Sequence, residues 1–260
     1  MLNSALTSPP GSFPWTVLHD RHPTLIAKVL DGLPYSPDRQ RAVAELAEEI
    51  TGVIRPLPPS AHDVAVWTEW GRDHIGRSWY DVPFLWAESF FYRKLLGAVG
   101  YFGPGPWQGV DPFGPVKSAE LTGDALAAEL AALGDLPVEE RAEGLLAASL
   151  WGNQADLGFR LQRKDDGRAS ALVVDDSAAL LPLLTGTVCV VADNAGRELV
   201  PDLLLADHLL ATGADRILLH VKAYPYFTSD ATMSDVLACL RRLAVEDAGE
   251  IGRASCRERV

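Results

Sequence analysis

Cysteine is scarce in this sequence. Three cysteines, Cys189, Cys239 and Cys256, are spread over 260 residues, and no two of them have CxxC spacing. An odd number of dispersed cysteines favours neither a disulfide framework nor a zinc cluster. We therefore expect a protein of a reducing compartment, the cytoplasm.

Long hydrophobic runs are absent as well. No stretch reaches the roughly 20 apolar residues that a transmembrane helix needs. The N-terminal sequence MLNSALTSPPGSFP has neither the positive region nor the apolar core of a signal peptide. We expect neither a membrane anchor nor a targeting segment.

Positive charge is in the minority. The chain has 23 Lys and Arg residues against 35 Asp and Glu residues, for a net charge of -12. A surface of this sign repels phosphate backbones and anionic membranes, so we expect no nucleic-acid or membrane partner. An anionic substrate would need a local cation here, and the composition is therefore compatible with a metal-using site.

A predicted strand, acidic turn and helix follow one another in residues 187–210, TVCVVADNAGRELVPDLLLADHLL. The apolar run Val188–Ala192 is rich in β-branched residues and predicts a central strand buried on both faces. Asp193 and Asn194 follow this strand, where they either cap the next helix or supply two hard ligands for a divalent cation. The helix has one apolar face at helical spacing, made of Leu199, Leu203, Ala206 and Leu210. Because proline is costly inside a helix, Pro201 predicts that this helix begins late or is kinked.

A second strand is predicted over residues 216–221, RILLHV, and the helix between the two strands is long enough for a right-handed parallel crossover. Lys222 follows this strand, and Thr232 with Asp235 predicts a capping box at the start of the next helix. Asp230 lies in the loop between them. Because neighbouring parallel strands lie about 4.8 Å apart, we expect Asp193, Asn194 and Asp230 to converge at one edge of the sheet.

The N-terminal half has helical and irregular patterns. We expect residues 1–35 to be partly extended with one helix near 22–30, and residues 100–117 to form a loop rich in Gly and Pro. The aromatic segment Trp79–Leu96 is interpreted as a core helix, with the wall of a substrate cleft as the alternative. Further helices are predicted at residues 37–50, from Val64, and at 119–133 and 137–151. After them we expect a strand at 171–174 and a helix that is capped within residues 175–177 and continues to Leu184.

These patterns predict an α/β protein. A helical N-terminal region, residues 1–151, precedes an α/β/α layered region with a mainly parallel sheet, residues 152–249, which is incomplete at the C-terminus. Residues 250–260, EIGRASCRERV, have no apolar stripe and can be encoded by DNA that resembles a sequencing-library adapter. We expect them to form an exposed, non-native tail, and the cut sheet to leave apolar surface exposed beside it.

Three motifs, WGNQADL, VVADNAGRELVPDLLLADHLL and HVKAYPYFTSDAT, resemble the metal-dependent damage-control phosphatases. The likeness is to the group of this family, formerly a domain of unknown function, that is also described as acidic-residue (protein-glutamate) methyltransferases. It extends over residues 11–249 and includes GSFPWTVLHDRHP, SWYDVPFLWAESFFYRKLL and DPFGPVK. The family's later KGD-type motif is absent, which agrees with a C-terminally truncated sequence and puts activity of this fragment in doubt.

The resemblance implies a metal site. It assigns the metal to Asp193, Asn194 and Asp230, and makes Asp193 the catalytic position as well. Two carboxylates and one amide favour Mn²⁺ or Mg²⁺ over zinc, with Ni²⁺ or Co²⁺ as alternatives.

The resemblance also implies residues near the substrate. Glu198 matches a substrate-contacting glutamate, Asn153 matches an asparagine near the site, and Lys222 is a candidate phosphate contact. The implied function is a divalent-metal-dependent phosphatase for small phosphorylated metabolites such as sugar phosphates. The alternatives are S-adenosylmethionine-dependent protein-glutamate O-methylation, which the lack of a G-x-G loop after either strand disfavours, and a non-catalytic metal- or phosphate-binding module. The oligomeric state is left open.

Overall fold

The computed structural model describes residues 7–151 and 174–245. The chain forms two compact units, residues 1–115 and residues 116–260, called here the first and the second unit. Helices dominate both, and a short parallel sheet lies in the second, so the predicted α/β class is confirmed. The predicted boundary at Trp151, drawn where the composition changes, lies within the second unit.

The first unit is helical from close to its beginning. Ser12 accepts a hydrogen bond from the backbone N–H of Trp15 and so caps the first helix, in which Pro14 occupies a first-turn position. The expected extended leader is therefore wrong for Phe13–Arg21, where a π-helical turn at Val17–Arg21 joins the first two helices, whereas the predicted helix near residues 22–30 is confirmed. The helices of this unit are α1 (Phe13–Thr16), α2 (His22–Gly32), α3 (Pro37–Glu49), α4 (Val64–Trp70) and α5 (Phe84–Val99).

Helix α5 forms the centre of the first unit's core. Its aromatic residues Phe90 and Phe91 are fully buried, and Trp79, which precedes the helix, is fully buried as well. The ring of His22 stacks on Phe91 with 3.7 Å between the ring centroids. The aromatic segment is thus core, as interpreted from the sequence.

Buried charges in the first unit occur as close ion pairs. The Arg93 guanidinium donates to both carboxylate oxygens of Asp63 at 2.7 and 2.6 Å. The Lys94 ammonium donates to both oxygens of Glu49 at 2.6 and 2.8 Å. Although burial acts in the opposite direction, the hydrogen bond and charge of Arg93 hold the pKa of Asp63 below its ordinary value.

The second unit begins with three helices, and their bounds differ from those predicted. Helix α6 (Gly114–Thr122) starts inside the predicted 100–117 loop, because proline at position 115 is compatible with a first turn. The predicted helix at 119–133 is divided at Gly123, whose extended backbone starts helix α7 (Asp124–Gly134). Helix α8 (Arg141–Trp151) follows.

The sheet consists of β1 (Gly186–Val191) and β2 (Ala214–His220), which pair in parallel and are joined by helix α10 (Leu199–Thr212). A short helix α9 (Ser177–Leu180) precedes this βαβ unit and α11 (Met233–Val245) follows it. The predicted parallel crossover is confirmed. Helix α10 begins at Leu199, so Pro201 lies in its first turn, as the late-start prediction requires.

The prediction that β1 is buried on both faces is wrong. Val188 is buried with the core of the second unit, whereas Cys189 is exposed and Val191 is 77 % exposed. Successive side chains of a strand point to opposite faces, and in the part of the chain that the structure describes only one face is covered. Val191 and Leu218 leave apolar surface exposed beside the sheet, as expected.

Some predictions cannot be compared with the structure. Residues 171–173 of the predicted strand and the tail 250–260 lie outside the described residues, and Val174 lies in a bend. No helix among the described residues is long and apolar enough to cross a membrane.

Candidate metal centre

Two loops at the carboxyl ends of the strands form the candidate site. We call residues 192–198, which follow β1, the first site loop, and residues 221–232, which follow β2, the second site loop. Asn194 and Asp230 form an antiparallel bridge between them. Backbone hydrogen bonds on either side, from Ala195 N–H to Ser229 O at 2.6 Å and from Ala231 N–H to Asp193 O at 2.9 Å, continue the pairing. The parallel βαβ topology thus brings Asp193, Asn194 and Asp230 together.

Asp193 and Asp230 both face the ammonium group of Lys222. The Lys222 Nζ atom lies 3.8 Å from Asp193 Oδ1 and 3.5 Å from Asp230 Oδ1. The Asp193 side chain is 74 % exposed, whereas that of Asp230 is 5 % exposed. The second oxygen of Asp230 accepts a hydrogen bond from Phe227 N–H at 2.8 Å. One oxygen of Asp230 is therefore used by its own loop, and the other faces Asp193 across the lysine.

The Asn194 amide is oriented by both of its ends. Its Nδ2 group donates to the two carboxylate oxygens of Glu198, each at 3.0 Å. Its Oδ1 atom accepts from the Ser229 hydroxyl at 2.6 Å. Because a carboxylate can only accept, Glu198 fixes which end of the amide carries the oxygen. An amide oxygen has a second lone pair, so Asn194 Oδ1 retains capacity for a further ligand.

The acidic groups of the first site loop also act on one another. Burial raises the pKa of the Glu198 carboxyl, and the negative charges of Asp193, Asp202 and Glu120 act in the same direction. Burial likewise raises the pKa of Asp202, which accepts a hydrogen bond from the Ser149 hydroxyl. A negative potential of this kind favours cation binding.

The donor set at this edge fits a hard divalent cation. Asp193, Asn194 and Asp230 offer two carboxylates and one amide oxygen, the ligand types that Mg²⁺ and Mn²⁺ prefer. Among residues 7–151 and 174–245, no three His, Cys, Asp or Glu side chains are grouped as a metal site. A cation held here would therefore depend on the Asn194 amide as well as on the two aspartates.

Gly196 allows the first site loop to approach helix α6 closely. Its φ of +70° lies in the left-handed region, and a Cβ atom at this position would collide with the Glu120 carboxylate. The same carboxylate accepts from Arg197 N–H at 3.4 Å, and the Arg197 side chain pairs with Glu129 of α7. Two helices of the second unit therefore hold this loop in place.

The structure adds residues that the sequence reasoning missed. Ser229 orients the Asn194 amide, and Lys117 donates to the backbone carbonyl of Asp230. Lys117 belongs to the DPFGPVK segment, whose likeness to the family was the one available signal for it. Glu198 and Lys222, assigned by resemblance, do lie beside the predicted metal ligands. Asn153 lies outside the described residues.

The sequence of the whole chain was compared with protein families and with curated proteins. The model of the damage-control phosphatase ARMT1-like domain matches residues 17–259. This range includes residues 250–259, whose origin stays a prediction. The curated relatives are each named damage-control phosphatase ARMT1. The protein of Danio rerio is 28 % identical over 285 residues, which is 86 % of this chain and 63 % of the relative.

Two further relatives give the same result. The Mus musculus protein is 26 % identical, with 86 % of this chain and 64 % of the relative covered. The Xenopus laevis protein is 25 % identical, with 90 % and 66 % covered. The chain thus spans less than two thirds of the length of these curated relatives. Since the family model matches nearly the whole sequence, the chain belongs to the ARMT1-like damage-control phosphatase domain family.

Proposed function

We propose that the protein is a divalent-metal-dependent phosphatase that acts on small phosphorylated metabolites such as sugar phosphates. The observation that carries this proposal is the convergence of two carboxylates and one ammonium at the carboxyl edge of a parallel sheet, where Lys222 lies 3.8 Å from Asp193 and 3.5 Å from Asp230. Membership of a family described as damage-control phosphatases supports the same reaction class.

Asp193, Asn194 and Asp230 would hold the cation, with Mn²⁺ or Mg²⁺ preferred by their oxygen ligands and Ni²⁺ or Co²⁺ as alternatives. When bound, such a cation supplies Lewis-acid stabilisation of the charge that develops on a phosphoryl group and lowers the pKa of a bound water. The most exposed of the three, Asp193, is the side chain that a substrate reaches first.

The other residues would bind and orient the phosphate. The Lys222 side chain is 39 % exposed, so its ammonium can reach a phosphate oxygen while it stays near both aspartates. Glu198 keeps the Asn194 amide in one orientation, and its half-buried carboxylate can also accept a hydrogen bond from a substrate hydroxyl. A sugar phosphate offers both a phosphate and hydroxyl groups, which is why we name this substrate class.

Carboxyl methylation is less well supported. Strand β1 is followed by Ala192, Asp193 and Asn194, and β2 by Val221 and Lys222, so neither strand leads into a glycine-rich turn of the kind that receives a nucleotide. Methyl transfer also does not require two aspartates and a lysine at the carboxyl edge of the sheet, whereas metal-dependent phosphate chemistry uses such groups. The methyltransferase alternative therefore serves as one outcome of the test.

The test combines cation binding and turnover. Mn²⁺ is titrated into the chain and free Mn²⁺ is followed by electron paramagnetic resonance, and phosphate release is measured from a panel of sugar phosphates. We expect Asp193→Ala to weaken Mn²⁺ binding on the order of 100-fold, because it removes a charged ligand. The fold should persist, since the side chain is largely exposed.

Asp215→Ala is the matched control, because Asp215 is an exposed carboxylate at the start of β2, at the opposite end of the strand. It should leave both Mn²⁺ binding and phosphate release unchanged. Equal Mn²⁺ affinity of the wild type and Asp193→Ala would contradict the metal assignment. Methyl transfer from S-adenosylmethionine to a protein glutamate without phosphate release would support the alternative function.

A further inference from the structure

Lys117 is a buried lysine of helix α6 that points into the second site loop. It is 5 % exposed, one of few charged residues with so little contact with solvent in the described ranges 7–151 and 174–245. Burying an ammonium group is costly unless charged or polar partners surround it. The partners that offset this cost lie at the second site loop and at the start of helix α11.

Two hydrogen bonds of Lys117 reach the segment that carries a predicted metal ligand. Its Nζ atom donates to the backbone carbonyl of Asp230 at 2.7 Å and to Asp235 Oδ2 at 3.0 Å. The same Asp235 oxygen accepts from the backbone N–H and the hydroxyl of Thr232, at 2.8 and 2.7 Å. Lys117 thus joins the end of the second site loop to the capped beginning of helix α11.

These contacts leave Asp230 little freedom. Its carbonyl is held by Lys117, its backbone is bridged to Asn194, and its Oδ2 atom is bound by Phe227 N–H. The remaining oxygen, Oδ1, is the one that faces Lys222 and, beyond it, Asp193. Removing the Lys117 contact would release the Asp230 carbonyl, one of these three restraints, and so loosen the position of this oxygen.

The same helix also contacts the first site loop. Glu120 is three residues after Lys117, so both lie on one side of α6, and its carboxylate accepts from Arg197 N–H beside Gly196. One side of a single helix therefore contacts both loops that carry the predicted ligands. A helix is a rigid element on which to fix the distance between two loops.

We propose that Lys117 is a positioning residue for the metal site, which holds Asp230 where its carboxylate and that of Asp193 can bind the same cation. This inference rests on the proposed function, because it assumes that Asp193, Asn194 and Asp230 hold a metal. Lys117 does not touch the cation itself. Its effect on affinity passes through the Asp230 backbone, as is known for outer contacts of metal ligands.

The test is the Mn²⁺ affinity of Lys117→Met, measured on the whole chain by electron paramagnetic resonance of free Mn²⁺. Methionine keeps much of the side-chain length but donates no hydrogen bond. We expect the Mn²⁺ dissociation constant to rise about 10- to 100-fold, the range that outer contacts of metal ligands give. Circular dichroism at the same temperature establishes that the variant is folded.

Lys94→Met is the matched control. It also removes a buried lysine from an ion pair, with Glu49 of the first unit, and should lower stability while leaving the Mn²⁺ affinity unchanged. If Lys117→Met does not fold, Lys117→Gln, which keeps one donor for the Asp230 carbonyl, should show a smaller loss of affinity. A folded Lys117 variant that binds Mn²⁺ like the wild type would overturn the positioning role.

The two proposals fail in different ways. If wild type binds Mn²⁺ and Asp193→Ala binds it much more weakly, the metal site stands, and an unchanged affinity of Lys117→Met overturns only the positioning role. If wild type itself binds no Mn²⁺, the proposed function fails, and the role of Lys117 fails with it. If Lys94→Met loses as much Mn²⁺ affinity as Lys117→Met, a general loss of stability explains both, and Lys117 has no specific role.

Discussion

Charged side chains are arranged differently in the core of the first unit and at the site loops of the second. In the first unit, Arg93 and Lys94 each have a carboxylate of their own, Asp63 and Glu49, with every contact between 2.6 and 2.8 Å. At the site loops of the second unit, one ammonium, that of Lys222, lies at 3.5 and 3.8 Å from two aspartates. In a closed pair each charge is balanced by one partner, whereas two carboxylates that share one more distant ammonium can bind a second cation.

The pKa directions agree with this contrast. In the first unit the Arg93 contact holds the pKa of Asp63 below its ordinary value, although burial alone would raise it. In the second unit burial and neighbouring carboxylates together raise the pKa of Glu198. Its hydrogen bond from Asn194 is too weak to reverse this. Unbalanced carboxylates are typical of sites that bind ligands rather than of structural pairs.

The largest effect is expected when a closed pair is broken. Arg93→Met leaves the Asp63 carboxylate without its guanidinium partner, and losing one member of a buried pair costs about 3–5 kcal/mol of unfolding free energy. The chain has seven tryptophans, and all but Trp151 lie in the first unit, so tryptophan fluorescence during urea unfolding reports mainly on that unit. The midpoint should shift strongly towards lower urea.

Arg41→Met is the control for this variant. Arg41 pairs with Asp38 on the surface of α3, where the two side chains are 67 % and 83 % exposed, and such pairs contribute about 0–1 kcal/mol. Adding Asp63→Asn to Arg93→Met should restore part of the loss, because no unpaired charge then remains. Equal midpoints for Arg41→Met and Arg93→Met would contradict the distinction between closed and exposed pairs.

Local patterns predicted much of the second unit. The parallel strands, the late start of helix α10 at Leu199 and the contact of Thr232 with Asp235 all follow from residues close in sequence. The prediction that β1 is buried on both faces was wrong, since an apolar run alone does not show which side of a strand is covered by other elements. In the first unit, Ser12 and Pro14 were sufficient signals for an early helix, but the surrounding Gly and Pro residues obscured them.

The sequence predicted the part of the candidate site that depends on the order of strands and loops, but not the contacts made by residues distant in sequence. Placing Asp193, Asn194 and Asp230 together needed two parallel strands and the loops that follow them, and those are local signals. Lys117 lies 113 positions before Asp230, and no periodicity connects the two. A long-range hydrogen bond of this kind has no counterpart in local sequence, so its role becomes visible only in the fold.

A second effect concerns acid stability of the first unit. Burial, with a smaller contribution from the charge of Arg21, lowers the pKa of His22 from 6.5 to about 3. Below 6.5 the unfolded chain takes up a proton at His22, whereas the folded chain does not until about pH 3. Stability therefore falls as the pH drops through this window, by about 2 kcal/mol between pH 7 and pH 5.

His22→Phe separates this contribution from that of other groups. Both ring nitrogens of His22 are buried and have no hydrogen-bond partner among the residues that the structure describes, so replacing the ring removes polar atoms that gain nothing from burial. The fluorescence-detected urea midpoint of the variant should depend less on pH than that of the wild type. His19→Phe, the same substitution at an exposed imidazole, is the control variant. Parallel pH profiles for His22→Phe and wild type would show that His22 does not limit acid stability.

Lys222→Met should have the smallest effect on stability. It is also the most direct test of the contrast between the site loops and the closed pairs of the first unit. Because this ammonium is partly exposed and its contacts are long, the unfolding free energy should change by about 0.5 kcal/mol or less.

The same substitution takes one positive charge away from Asp193 and Asp230, so Mn²⁺ should bind a few-fold more tightly. Inorganic phosphate, titrated by calorimetry into the Mn²⁺-loaded chain, should bind more weakly, because the proposed phosphate contact is gone. Opposite changes for the two ligands cannot arise from a general loss of structure. Two outcomes would contradict the contrast between Lys222 and the closed pairs of the first unit. One is a loss of stability as large as that of Lys94→Met, and the other is a loss of affinity for both ligands.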